Sequence, residues 1–70
     1  MDMKLILIAL RPEGHYDVIH TRSIPAGEVV DRVDGPFPTV AEAKEAVEAE
    51  FGVLAWSDRD DVLVAEISSP

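Results

Sequence analysis

The chain has 70 residues, no cysteine and a formal net charge of −8, from fourteen acidic and six basic side chains. This length excludes more than one domain, and the missing thiols exclude disulfides and thiolate zinc sites. The negative charge disfavours direct binding to nucleic acid or to anionic lipid, because both carry charge of the same sign.

The size of the chain limits how much core it can form. A hydrophobic fraction of 47 % is too high for a disordered acidic tail. A domain this short nevertheless buries only about 60 % of the surface that its unfolded chain exposes. Small domains supplement such a core with disulfides, a metal or a second chain, and here either a compact core or a second chain is left as the stabiliser. The cysteine-free composition also fits a reducing compartment, so we expect the protein in the cytoplasm.

The first predicted element is a strand over residues 5–10, the apolar run LILIAL. Six apolar residues are too few for a signal peptide, whose core has about 7–15, or for a membrane span of about 20. Both faces of this strand are apolar, which is typical of a buried strand. We therefore expect no membrane partner.

Two further strands are predicted before the first pair of prolines. The turn residues of RPEGH separate residues 5–10 from a β-prone segment at 16–22, which predicts an antiparallel hairpin. After the break at SIPAGE, residues 28–33 alternate as a short strand at a sheet edge. The prolines of DGPFP are expected to end that strand, since proline cannot donate to a ladder.

A helix is predicted over about residues 39–51. Thr39 is a good N-cap, Glu42 completes a T-x-x-E capping box, and Gly52 suits the C-terminal end. One narrow apolar stripe runs along the helix and consists of Val40, Ala43, Val47 and Phe51. A second hairpin follows, with strands at 53–57 and 62–67 around the polar turn SDRDD. The order ββ(β)αββ predicts a single α+β domain over residues 1–70, an antiparallel sheet of four to five strands with the helix on one face.

This architecture leaves one sheet face without a helix. The strands at 5–10 and 62–67 are apolar on both faces, whereas an antiparallel sheet with one solvated face alternates between apolar and polar residues. We therefore expect the second face to be covered by a protein partner, most simply a second copy in a homodimer. The alternative is that coil and the strand at 28–33 fold over it. The predicted interface residues are Ile6, Ile8, Leu10, Trp56, Val62 and Val64.

The sequence contains no pattern that predicts catalysis, a cofactor or a metal. His15 and His20 would point to opposite faces of a strand. Asp58, Asp60 and Asp61 do not follow the calcium-loop spacing, and the glycines have no nucleotide-binding spacing. We expect a protein that is not an enzyme and that has no cofactor.

Two functions remain open. The first is a non-catalytic, acidic protein-interaction module. The alternative is an acidic mimic of nucleic acid that inhibits a DNA- or RNA-binding enzyme, of the anti-restriction or anti-CRISPR type. This alternative depends on a predicted acidic contact surface formed by Glu42, Glu45 and Glu48 on the outer side of the helix.

The segment FPTVAEAK at residues 37–44, with Phe51 and a strand carrying Trp56, resembles a pattern in small actinobacterial and actinobacteriophage proteins. The resemblance covers about 20 residues and chiefly describes a capped helix packed on a sheet. It implies a phage or actinobacterial origin and assigns no chemistry to any residue.

Overall fold

A five-stranded antiparallel sheet and one helix make up residues 3–68, the part of the chain that the computed structural model describes. In chain order the elements are β1 (Met3–Leu10), β2 (Tyr16–Ile24), β3 (Gly27–Phe37), α1 (Val40–Phe51), β4 (Ser57–Arg59) and β5 (Val62–Ser68). The strand order across the sheet is β3-β2-β1-β5-β4. The predicted α+β class and the order ββ(β)αββ are confirmed.

The core lies between α1 and one face of the sheet. Central strand β1 places Ile6 opposite His20 of β2 and Ala65 of β5. Ile6 and Ile8 are 0 % and 2 % exposed, and they pack with Ala43 and Val47 of the helix stripe. Burying each large aliphatic side chain contributes about 1.5–3 kcal/mol, so this small cluster is a major source of stability.

The predicted end signals of α1 are present, with two differences in detail. The Glu42 N–H donates to Thr39 Oγ1 at 3.1 Å, which satisfies one of the unpaired amides of the first turn. The reciprocal side-chain bond of a full capping box is not formed within residues 3–68. At the other end the Gly52 N–H donates to the Glu48 carbonyl at 2.8 Å. Gly52 has the predicted positive φ, 85°, but its ψ of −175° lies outside the left-handed helical region.

Strand β3 is longer than predicted. It does not end at Val33 but continues through Pro36 to Phe37, which pairs with Tyr16. A proline is tolerated there because β3 is the outermost strand, with one side free of ladder hydrogen bonds.

The predicted strand at 53–57 is wrong except for its last residue. Leu54 and Trp56 lie in an irregular segment, and β4 begins only at Ser57. Helix α1 packs on β1, β2 and β3 and does not reach β5. From this irregular segment, Leu54 and Trp56 pack against the core cluster beneath α1.

The polar turn of the last hairpin is confined to Asp60 and Asp61. Their φ angles are 50° and 66°, and Arg59 pairs with Val62 across the turn. Positive φ at both central residues is what a type I′ turn requires, and this turn matches the right-handed twist of the flanking strands. Within residues 3–68, no helix has the length and apolar composition needed to cross a membrane.

Candidate functional site

The sheet face opposite α1 is apolar in its centre, and no helix within residues 3–68 lies on it. The registers place these apolar residues and one threonine on it: Leu5, Leu7, Ala9, Ile19, Thr21, Val30, Val33, Val62 and Val64. They also place polar residues on the same face toward its borders: Asp17, Ser57, Arg59 and Glu66. We call this surface the open sheet face. Val30 and Val33, on edge strand β3, are 62 % and 55 % exposed. Leu5, Leu7 and Ile19 are half-buried, in contrast to the fully buried Ile6 on the helix side.

The six predicted interface residues do not share one surface. Val62 and Val64 lie on the open sheet face, but Ile6 and Ile8 lie beneath α1, which corrects their place in the predicted interface. Leu10 is 58 % exposed at the end of β1 with its side chain on the helix side. Trp56 is half-buried against the core. Alternation along a strand separates two faces but does not say which one the helix covers, so the sequence left that choice open.

The margin of the open sheet face is polar, and the carboxylate of Asp17 at this margin is paired. At one end the Asp17 carboxylate lies 3.2 Å from Arg11 Nε and 3.5 Å from His15 Nε2. Within the face, the buried Thr21 hydroxyl donates to the Leu5 carbonyl at 3.2 Å. A satisfied hydroxyl costs little on desolvation, so the face can be covered by a partner without leaving an unpaired polar atom at Thr21.

Of the three residues of the predicted acidic surface, Glu48 does not lie on it. Glu42 and Glu45 are exposed, but Glu48 is turned toward the segment that follows the helix. Glu48 Oε2 accepts from Trp56 Nε1 at 3.4 Å and from the Leu54 N–H at 3.3 Å. Glu48 therefore holds Leu54 and Trp56 against the core and is not part of an outward row, which corrects its predicted role.

A polar cluster joins edge strand β3 to the last turn of α1. We call it the His20 cluster, and it consists of His20, Arg32, Asp34 and Glu50. His20 is 6 % exposed, and its Nε2 lies 3.0 Å from Asp34 Oδ2. Arg32 donates from Nε to the same Asp34 oxygen at 3.0 Å and from Nη2 to Glu50 Oε1 at 2.6 Å. The cluster therefore ties β2, β3 and α1 together at one end of the core.

The Nε2 atom of His20 is engaged in this cluster. Its Nε2 lies 3.3 Å from Arg32 Nη2 as well as 3.0 Å from Asp34. One nitrogen cannot donate to the carboxylate and accept from the guanidinium at once, and a donating Nε2–H satisfies Asp34 while Arg32 is satisfied by carboxylates. The ring centroid of Phe51 lies 6.1 Å away and shields the imidazole further.

The Arg32–Glu50 contact shifts the pKa of both groups. The hydrogen bond from Arg32 lowers the pKa of Glu50 below its ordinary value of 4.5, because it favours the ionised carboxylate. The same hydrogen bond raises the pKa of Arg32. Both side chains are nearly half exposed, at 47 % and 46 %, so water screens the attraction between them.

The chemistry that these groups can perform is limited. Across residues 3–68, no three His, Cys, Asp or Glu side chains are grouped as metal ligands. His20 lines a surface cavity with Lys4, Arg32 and Glu50, but its Nε2 is committed to Asp34 and so is not free to take a substrate proton. Asp58, Asp60 and Asp61 are exposed in and beside the β4–β5 turn. The arrangement supports binding better than catalysis.

The His20 cluster was not predicted from the sequence. Arg32 and Asp34 are two residues apart and so share one face of β3, and His20 has the matching position on β2. This spacing in the sequence was enough to predict a charged pair beside a histidine. The contribution of Glu50 was not visible, because it depends on how the end of α1 lies across the sheet.

Comparison of the chain with protein-family models, with curated proteins and with solved structures found no match.

Proposed function

We propose that this chain is a non-catalytic protein-interaction module that works in the cytoplasm through its open sheet face, with a second copy of the chain as partner. The observation that carries the proposal is the apolar character of this face, including Val30 and Val33, which are 62 % and 55 % exposed. A 70-residue domain gains stability by removing such a surface from water.

The dimensions of the face indicate how strong the contact is. Four strands at about 4.8 Å spacing and five to six residues at about 3.4 Å give a patch of roughly 20 by 20 Å. Two such patches bury on the order of 800 Å², below the roughly 1,200–2,000 Å² of a stable protein–protein interface. The dimer is therefore expected to be weak and reversible, with a dissociation constant in the micromolar range.

Electrostatics oppose this association and give it a characteristic salt dependence. Each copy carries a net charge of −8, so two copies repel each other. The centre of the open sheet face is apolar, and Asp17 at its margin is paired with Arg11. Salt screens the long-range repulsion and leaves the apolar contact in place, so dimerisation should strengthen as salt is added.

Sedimentation velocity over about 5 to 500 µM, at about 50 and 500 mM NaCl, tests the proposal. We expect a concentration-dependent dimer that is more populated at high salt. Val33→Lys should weaken dimerisation at least about tenfold, because it places an ammonium in an apolar contact. The matched control is Val53→Lys, which makes the same charge change at a residue that is 91 % exposed outside the sheet.

Two results would overturn the homodimer. One is a monomer at the highest concentration at both salt levels. The other is an equal effect of Val33→Lys and Val53→Lys, which would show that only net charge matters. The conservative pair Val30→Thr and Val33→Thr keeps the branched side-chain shape and strand propensity, so it provides a second test if the lysine variant fails to fold.

The alternative function, an acidic mimic of nucleic acid, has less geometric support. It requires a row of exposed carboxylates, and Glu48 is committed to Trp56 and Leu54. Glu42 and Glu45 remain available on the helix. Two carboxylates reproduce only a short length of a phosphate backbone, so the protein-interaction module is the better supported of the two functions.

A further inference from the structure

A shallow groove runs between α1 and the end of β3, on the opposite side of the sheet from the open sheet face. Its volume is about 450 Å³, and its lining residues are Phe37, Pro38, Glu42, Glu45, Ala46 and Ala49. The floor is apolar, because Phe37 is half-buried there and the two alanines present only methyl groups. The interaction described under Proposed function does not use this groove.

The four helix residues of the groove form a stripe of their own. Positions 42, 45, 46 and 49 follow the i, i+3, i+4, i+7 spacing of one helix face, separate from the core positions 43 and 47. Ala46 and Ala49 are exposed and small, so a second helix can approach α1 closely along this stripe. Helices pack at interaxial distances of about 8–10 Å, the shorter values where the side chains are small.

The charge of the groove selects the chemistry of its occupant. Glu42 and Glu45 are both exposed on the rim, and within residues 3–68 neither carboxylate lies within ion-pair distance of a basic side chain. No lysine or arginine lines the groove. The net charge of −8 adds a field that attracts cations to it.

We propose that this groove binds a basic amphipathic helix of a partner protein. One apolar side chain of that helix rests on Phe37, Ala46 and Ala49. A lysine or arginine three or four residues away lies one helical turn along, opposite Glu42 and Glu45. This spacing matches the roughly 5.4 Å between successive turns of α1.

The same features disfavour other occupants. A second copy of this chain offers only an acidic helix, α1, whose carboxylates would meet Glu42 and Glu45. A small cation has no apolar group to cover the Phe37 floor. A basic amphipathic helix satisfies both the charge and the apolar surface.

Fluorescence anisotropy with a labelled helical peptide of about 14 residues tests the proposal. The peptide carries leucine and lysine three and four residues apart, and a scrambled peptide of the same composition removes that spacing. We expect Glu42→Gln with Glu45→Gln to weaken binding at least about tenfold, since both rim charges are lost. Ala49→Gln, which fills the floor with a polar side chain and leaves the charge unchanged, should also weaken it several-fold.

The matched control is Glu13→Gln with Glu28→Gln, which removes the same charge at two exposed residues outside the groove. Affinity should stay within about twofold of the wild type. Equal weakening by both double variants, or equal binding of the scrambled peptide, would overturn the proposal in favour of non-specific attraction. All measurements are repeated in the Val33→Lys background, so that failure of the homodimer leaves this test intact.

Discussion

At the residue scale, Gly35 is the one of the four glycines where an added side chain would meet neighbouring atoms. Its φ is +146°, and a Cβ built on it would lie 2.5 Å from Asp17 Oδ1 and 3.2 Å from the Tyr16 carbonyl oxygen. The carboxylate could rotate away, but it would then leave Arg11 and His15. The absence of a side chain at Gly35 therefore lets β3 run close beside β2.

We expect Gly35→Ala to lower the free energy of unfolding by about 1–3 kcal/mol, through both the positive φ and the contact with Asp17. Urea denaturation measures the loss. Gly14→Ala is the control, because Gly14 also has a positive φ, 97°, but a Cβ there meets nothing within 4 Å. Equal losses in the two variants would mean that conformation alone, and not the approach to Asp17, sets the cost.

The Arg32–Glu50 contact makes a second prediction at this scale. The pKa of Glu50 is lowered in the folded protein, so its contribution to stability is present above the ordinary value of 4.5 and is lost as pH falls through the folded pKa. The wild type should therefore be more stable than Glu50→Gln near neutral pH. This difference in stability should disappear at acidic pH.

Thermal unfolding of both proteins across the acidic pH range measures this gap. Glu45→Gln is the control, since Glu45 lies on the same helix and has no basic side chain within ion-pair distance among residues 3–68. A gap between wild type and Glu50→Gln that stays constant with pH would contradict the ionic origin of the effect.

At the element scale, the β4–β5 hairpin contains an unfavourable turn sequence. Asp60 and Asp61 both have positive φ, which costs less for Asp than for most residues but more than for glycine. Asn-Gly is the preferred pair for this turn. Asp60→Asn with Asp61→Gly should therefore raise the free energy of unfolding by about 0.5–1 kcal/mol, measured by chemical denaturation.

Removal of two negative charges would itself stabilise an acidic protein, so a charge control is needed. Asp60→Asn with Asp61→Asn removes the same two charges and keeps a side chain at both positions. If this variant is as stable as the Asn-Gly variant, then charge repulsion and not backbone conformation limits the turn.

Local signals predicted most of the elements, and packing decided the remainder. The helix was predictable because Thr39, the alanines and the Val40–Phe51 stripe all favour the same structure, and each acts within a few residues. The irregular path of Leu54 and Trp56 was not predictable, since it depends on the part of β5 that α1 leaves uncovered. Pro36 led to a wrong prediction of where β3 ends. A proline costs a ladder hydrogen bond inside a sheet but not on the free side of an edge strand, and which strand lies at the edge depends on the whole sheet.

The candidate surfaces were less predictable than the fold. The apolar character of both faces of β1 and β5 predicted an apolar sheet face that the helix does not cover. It did not predict which residues form that face. The groove beside Phe37 was not predicted. It forms where the end of β3 lies next to α1, and in the sequence those positions of α1 have the pattern of an ordinary solvent-exposed helix face. Glu48 shows the same limit, since its hydrogen bonds join residues six and eight positions apart in an irregular segment.

At the scale of the whole molecule, two opposing surfaces carry the proposed interactions. The described chain measures 34 × 25 × 20 Å, so all its charges lie within a few Debye lengths of one another at physiological salt. The open sheet face should associate more strongly as salt rises, and the groove on α1 should bind its basic helix less strongly. Added salt is therefore expected to strengthen one interaction and weaken the other, and a single protein preparation is enough to measure both.

The strand order has a consequence for biosynthesis. Strand β1 lies in the centre of the sheet, yet one of its neighbours is β5, and Met3 pairs with Ser68. During translation β1 leaves the ribosome long before β5 exists, so the edge of β1 that β5 will occupy is open throughout synthesis of the intervening chain. The sheet closes only when residues 62–68 emerge, and until then the nascent chain presents the unpaired N–H and C=O groups along one edge of an apolar strand, an edge open to pairing with other chains.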